Sequence, residues 1–203
     1  PGQTTSLRNR NWIHAPIALL AIGALAALVA LWLRPTPRHQ AAYQQITNFS
    51  DSAVSPVLSP DGRMLAFIRS SEWWLTSGQI WVKLLPNGAP IQVTRDPRPK
   101  YGLSFSPDGS RIAYTVVEGG VWKTMTVSSI GGEPSHMLSN AAGLTWLDTE
   151  RVLFSEIKTG VHMGVVTAKE NRSEHRPIYF PRDERGMVHL SYASPDRKWA
   201  LVV

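Results

Sequence analysis

The groups in this sequence best placed for chemistry are carboxylates that follow Ser-Pro. Asp61 lies in Ser59-Pro60-Asp61-Gly62, Asp108 in Ser106-Pro107-Asp108-Gly109, and Asp196 in the worn copy Ser194-Pro195-Asp196-Arg197. A hydroxyl and a carboxylate two residues apart, repeated, could hold a cation. The same residues also make a turn without help. Proline fixes φ, the aspartate side chain caps the backbone two residues on, and glycine accepts a positive φ. The turn role accounts for the proline, the aspartate and the glycine, so the motif is read as structural.

Other candidate chemistry is sparse. The chain has no cysteine, which removes disulfides, thiolate metal sites and cysteine nucleophiles. Its six histidines (His14, His39, His136, His162, His175 and His189) are scattered without the spacing of metal ligands. There is no nucleophile elbow, phosphate-binding loop, H-E-x-x-H or EF-hand spacing. No catalytic, cofactor-binding or metal-binding residue is therefore expected in these 203 residues. The net charge of +6 includes Arg8, Arg10 and Arg34, which flank one apolar stretch, and the remaining charges are interspersed. A nucleic-acid groove would show a basic stripe, so direct nucleic-acid binding is not expected. Trp73-Trp74 is the most suggestive local feature, a pair on a loop that could anchor a protein or glycan, with packing between neighbouring sheets as the plainer role. Arg182-Asp183-Glu184-Arg185 reads as a solvated loop.

The elements that carry these residues follow from the repeat. A fourth copy, Trp146-Leu147-Asp148-Thr149, lacks S-P-D-G but keeps an aspartate, so Asp61, Asp108, Asp148 and Asp196 fall roughly 40 to 48 residues apart. Each copy leads into a short apolar run, such as 64–68 and 112–116. A loop and a further run follow (79–84, 121–127, 161–166), then a turn and a last run. This pattern predicts four-stranded antiparallel sheets, repeated and packed face to face. The third turn, without S-P-D-G, and the fourth, with Arg197 in place of glycine, are expected to be less tight.

The phrases over residues 58–67 (LSPDGRMLAF) and 105–114 (FSPDGSRIAY), with Gly131-Gly132-Glu133-Pro134 and the turn at 84–88, resemble the WD40-like, TolB-type β-propeller repeat. The resemblance covers about 43–203 and implies an all-β, TolB-like β-propeller, of which about three to four blades are present. Propellers close with 4 to 8 blades, so the ring is expected to be incomplete here.

Ahead of the repeats, the run from Trp12 to Leu33 (WIHAPIALLAIGALAALVALWL) is nearly free of polar side chains. About 20 apolar residues cross a bilayer core. The expected organisation is a juxtamembrane segment over 1–11, a transmembrane helix over 12–33, a linker over 34–42 and a partial propeller over 43–203. A propeller behind one span resembles bacterial membrane signalling proteins, either serine/threonine kinases or winged-helix regulators. That resemblance implies an anchored sensing or protein-interaction module in the inner membrane with its propeller outside the cytoplasm. Its expected partners are the membrane, through residues 12–33, and a protein or small ligand at the propeller loops. Two other readings stay open. One is the propeller of an anchored prolyl-oligopeptidase-like peptidase; the other is a TolB-like periplasmic transport protein whose apolar segment is cleaved.

Overall fold

The turn carboxylates sit at the ends of strands, and the strands determine everything else. In the computed structural model, residues 14–33, 41–71 and 77–203 are described. The chain divides into two units, Pro1–Gln44 and Gln45–Val203. The first contains α1 (His14–Trp32), a run of Ala, Leu, Ile and Val with no acidic residue in its first turn. Its side chains from Ile22 onward are exposed.

The transmembrane expectation is overturned. Among the described residues no helix is long and apolar enough to cross a membrane. The described helix has 19 residues, about 28 Å at 1.5 Å per residue, against a hydrocarbon thickness of about 30 Å. With the span go the inner-membrane, single-pass topology and the membrane partner at residues 12–33. The likeness to anchored kinases and winged-helix regulators goes too, because it depended on that span.

The second unit is all β. Blade one is β1 (Ser52–Leu58), β2 (Met64–Ser70), β3 (Gln79–Leu84) and β4 (Ile91–Gln92). Blade two is β5 (Lys100–Phe105), β6 (Arg111–Glu118), β7 (Val121–Ser128) and β8 (Ser135–Ser139). Blade three is β9 (Ala141–Trp146), β10 (Arg151–Ile157), β11 (Met163–Lys169) and β12 (Arg176–Tyr179). A fourth sheet pairs β13 (Ser191–Ala193) with β14 (Ala200–Val202). Within each blade, neighbours in sequence pair antiparallel.

Period-two alternation explains how the blades stack, because successive side chains leave a strand on opposite faces. On β6, Ile112, Tyr114 and Val116 pack against Ala66 and Ile68 of blade one. The intervening Ala113 packs the other way, against Val152, Phe154 and Val166 of blade three. Tyr114 and Phe154 are both at most 1% exposed, and full burial of such a side chain is worth about 1.5–3 kcal/mol. The link from blade one into β5 is tied by Lys100. Its ammonium is fully buried and donates to Asp96 O and Arg98 O at 2.9 Å and to Asp96 Oδ1 at 3.2 Å. Burial pushes the Lys100 pKa down, and Asp96 opposes that shift.

The S-P-D-G turns close the first two strands of a blade. Ser59 Oγ donates to Asp61 Oδ1 at 2.6 Å and accepts from Met64 N at 2.8 Å. Ser106 repeats this with Asp108 Oδ1 at 2.5 Å and Arg111 N at 2.9 Å. Ser194 does so with Asp196 Oδ1 at 2.6 Å and Trp199 N at 3.1 Å. Pro60, Pro107 and Pro195 occupy the second place of each turn.

The fourth turn is as tight as the first two, contrary to expectation. Arg197 N donates to Ser194 O at 2.8 Å, the same length as Gly62 N to Ser59 O and Gly109 N to Ser106 O. Arg197 adopts φ 58°, close to the 70° and 71° of those glycines. The cost of an L residue there, about 1–2 kcal/mol, is partly offset by its guanidinium, which reaches Asp148 Oδ2 at 3.3 Å. The third turn is one residue shorter. With no serine available, Asp148 Oδ1 itself accepts from Glu150 N and Arg151 N at 2.9 and 2.8 Å.

These bonds to the ionised side chains make the turns sensitive to acid. Ser106 and Ser110 hold the Asp108 carboxyl down to about 2. A depressed carboxylate contributes stability above its unfolded pKa of about 3.9, and that contribution is lost as pH falls toward 2. Asp108→Asn is expected to lower the thermal midpoint at pH 7, and the gap to the unmodified protein should narrow between pH 4 and pH 2.

Candidate functional site: the axial cavity

Strands β1, β5, β9 and β13 run side by side along the axis of the arc, and three of them share one irregularity. Pairing with the next strand skips two residues between Val54 and Val57, between Tyr101 and Ser104, and between Ala142 and Thr145. Such a bulge bends the strand and re-aims its side chains. The first residue of each bulge has positive φ: Ser55 at 52°, Gly102 at 58° and Gly143 at 57°. Glycine takes this conformation freely, whereas Ser55 carries strain of the kind found at binding sites.

The bulges turn the backbone toward the axis and enclose a cavity of about 270 Å³. Ser55, Leu103, Leu144, Thr145, Leu190 and Tyr192 are among its lining residues. Among the described residues, Tyr192 is the only one lining the cavity with an ionisable side chain, and no Asp, Glu, His, Lys or Arg lines it. Among the described residues, no group of three His, Cys, Asp or Glu is placed to hold a metal ion. The arrangement suits an uncharged apolar group held against backbone amides and hydroxyls.

Hydrogen bonds across the blades fix the cavity wall. Gly143 N donates to Thr115 Oγ1 of blade two at 2.9 Å, and Thr124 Oγ1 donates to Ala141 O at 3.0 Å. Thr145 Oγ1 donates to Ser191 O of the fourth sheet at 3.2 Å. At the turn end of the strands, Arg111 grips Glu170 with two bonds of 2.8 and 3.1 Å, and Trp146 Nε1 adds a third at 2.8 Å. Burial raises the Glu170 pKa, but the bonds from Arg111 and Trp146 outweigh it and hold the carboxyl below its usual range. Directly before two of the lining positions, Tyr101 and His189 meet edge to face at 6.4 Å, with Trp122 5.9 Å from the same imidazole. Burial pushes the His189 pKa down.

The turn residues singled out in the sequence lie at one rim, outside the cavity lining. Asp61 Oδ2 and Asp196 Oδ2 each stand 3.9 Å from a neighbouring Arg63 or Lys198 nitrogen. Asp108 Oδ2 takes the Ser110 hydroxyl at 2.7 Å. Trp73 and Trp74 fall outside the described residues. His162 Nε2 lies 3.0 Å from Pro181 O and His136 Nε2 3.1 Å from Ser139 Oγ. The lining residues were missed by motif reading, although the repeat marks them. Ser55, Gly102, Gly143 and Leu190 each stand four residues before the first residue of a turn (Ser59, Ser106, Leu147, Ser194).

Comparison with known proteins identifies the architecture. No family model matches the sequence, and comparison with curated proteins finds no relative. Solved structures do match. TolB from Acinetobacter baumannii superimposes with TM-score 0.63 at 16% identity, over 77% of this chain and 39% of that one. A putative TolB from Agrobacterium tumefaciens gives TM-score 0.60 at 20% identity, over 77% of this chain and 55% of that one. The fold is TolB-like. A gluconolactonase from Xanthomonas campestris also matches, with TM-score 0.57 at 13% identity, over 83% of this chain and 60% of that one. At these identities the likeness is one of fold, and this chain spans about two fifths to three fifths of the matched chains.

The bulge at Gly143 gives a direct test of how the cavity is built. A Cβ there would collide with the His189 carbonyl, whereas at Gly160, with nearly the same φ of 58°, it would meet nothing within 4 Å. Gly160→Ala should cost about 1–2 kcal/mol for the left-handed backbone alone. Gly143→Ala should cost at least about 2 kcal/mol more by urea denaturation, because backbone must move to relieve the clash.

Proposed function

We propose that this chain is the partner-binding part of a TolB-like propeller, and that its axial cavity receives an apolar side chain from an extended peptide. The observation that carries this reading is the lining itself. Three consecutive inner strands are bulged toward one point, and the surface they present there is uncharged. Bulges and a non-glycine residue at positive φ are costly, and such features are retained where a site needs them. A cavity of about 270 Å³ accommodates one large side chain rather than a drug-sized ligand.

Among the readings open from sequence, the TolB-like periplasmic partner is the one that the likeness of fold favours. Hydrolysis or group transfer at this cavity would need a base beside a hydroxyl to activate it, and among the described residues the lining pairs the hydroxyls of Ser55, Thr145 and Tyr192 with no His, Asp, Glu or Lys.

Peptide selection against the protein tests the proposal. Recovered sequences should share one large apolar residue in an extended context. Leu103→Glu, which places a charge in the cavity, should weaken the best of them at least tenfold while circular dichroism stays unchanged. Recovery of charged sequences, or binding indifferent to Leu103→Glu, would contradict the reading.

A further inference from the structure

The three middle strands carry an aromatic side chain at one repeating position: Phe67, Tyr114 and Phe154. Each is at most 1% exposed. Tyr114 is covered by Ala66 and Ile68 of the preceding blade, and Phe154 by Ala113 and Leu138 of its preceding blade. Phe67 stands in the first blade and faces away from blade two, since its neighbours Ala66 and Ile68 are the residues that pack there. It has no preceding blade among the described residues. It is buried nonetheless.

Among the described residues, the segment just before β1 lies over it. The Phe49 ring lies 5.6 Å from the Phe67 ring, tilted by 35°. Arg69 stands two residues after Phe67 on the same face, and its guanidinium sits 4.2 Å above Phe49 and 5.0 Å from the Trp81 ring. Asp51 locks this arrangement, accepting from Arg69 Nε at 2.8 and 3.0 Å. The segment is otherwise open to solvent: Ile46, Asn48, Ser50 and Asp51 are all exposed.

We propose that residues 45–51 form a displaceable strap that stands in for a neighbouring blade on the outward face of blade one. In stacked-repeat proteins an apolar blade face needs cover, and the strap gives the Phe67 face a polar one from a single phenylalanine and one ion pair. Its hold is small beside that of a blade. It rests on one aromatic contact, one cation–π contact and an ion pair about a third exposed, whereas a junction between blades buries a whole cluster of apolar side chains. The strap therefore opens far more readily than the junctions between blades, and it competes with any further sheet for the Phe67 face. This inference is independent of the axial cavity.

The chain has five phenylalanines, so uniform fluorophenylalanine labelling gives five resonances, assignable by single Phe→Tyr replacements. A soluble gadolinium chelate should relax the Phe67 signal as weakly as the Phe105 and Phe154 signals in the unmodified protein. In Phe49→Ala, Phe67 relaxation should rise at least fivefold while Phe105 and Phe154 stay unchanged. If Phe49→Ala disturbs all signals together, Asp51→Asn decides, and there the rise should again be confined to Phe67. Phe67 exposed in the unmodified protein would overturn the proposal. So would Phe67 still shielded in Phe49→Ala, or no selective rise in Asp51→Asn where that variant is needed.

Discussion

The close approach of neighbouring inner strands at the axis is the constraint on which this fold depends. At Gly143 the backbone of β9 runs so near the His189 carbonyl that no side chain fits. That contact requires a glycine, and a positive φ turns the peptide so that Gly143 N can bond to Thr115 across the junction. The bulge follows from the same turn, and the cavity follows from three such bulges pointing inward. A site of this kind is built by backbone geometry first and side chains second.

What holds the blades in that position is mostly apolar. Each interior junction buries aromatic rings, with Ala, Ile and Val between blades one and two and with Ala, Leu and Val between blades two and three, contributing several kcal/mol by area. The ion pairs at the rim are well exposed, Arg197 by 56% and Asp148 by 32%, and pairs like these add at most about 1 kcal/mol. Their value lies in direction. Arg111 with Glu170 and Trp146 fixes how far one blade is rotated against the next, which the alternating apolar faces leave loosely set.

The repeat made most of the architecture legible. Ser-Pro-Asp-Gly marks each closing turn, and alternation after it marks the middle strand, so the sheets could be placed from sequence. Arg197 misled because its type suggested a looser turn, while the serine and aspartate around it impose the left-handed backbone regardless. Asp148 shows the reverse: one carboxylate replaces the missing serine by accepting two backbone bonds. The apolar run at 12–33 was read by composition, which does not show where a helix starts and stops. The cavity was not legible at all as chemistry, because its lining residues are ordinary Leu, Gly, Ser and Thr. Their meaning comes from register, a property of paired strands that no single segment displays.

Amide hydrogen exchange with a selected apolar peptide tests the axial-site claim most directly. Binding at the axis should slow exchange in the bulged segments 55–58, 101–104 and 142–145, and leave the outer hairpins at 128–135 and 169–175 unchanged. Protection confined to the outer hairpins or rim loops, with the bulged segments unaffected, would contradict an axial site.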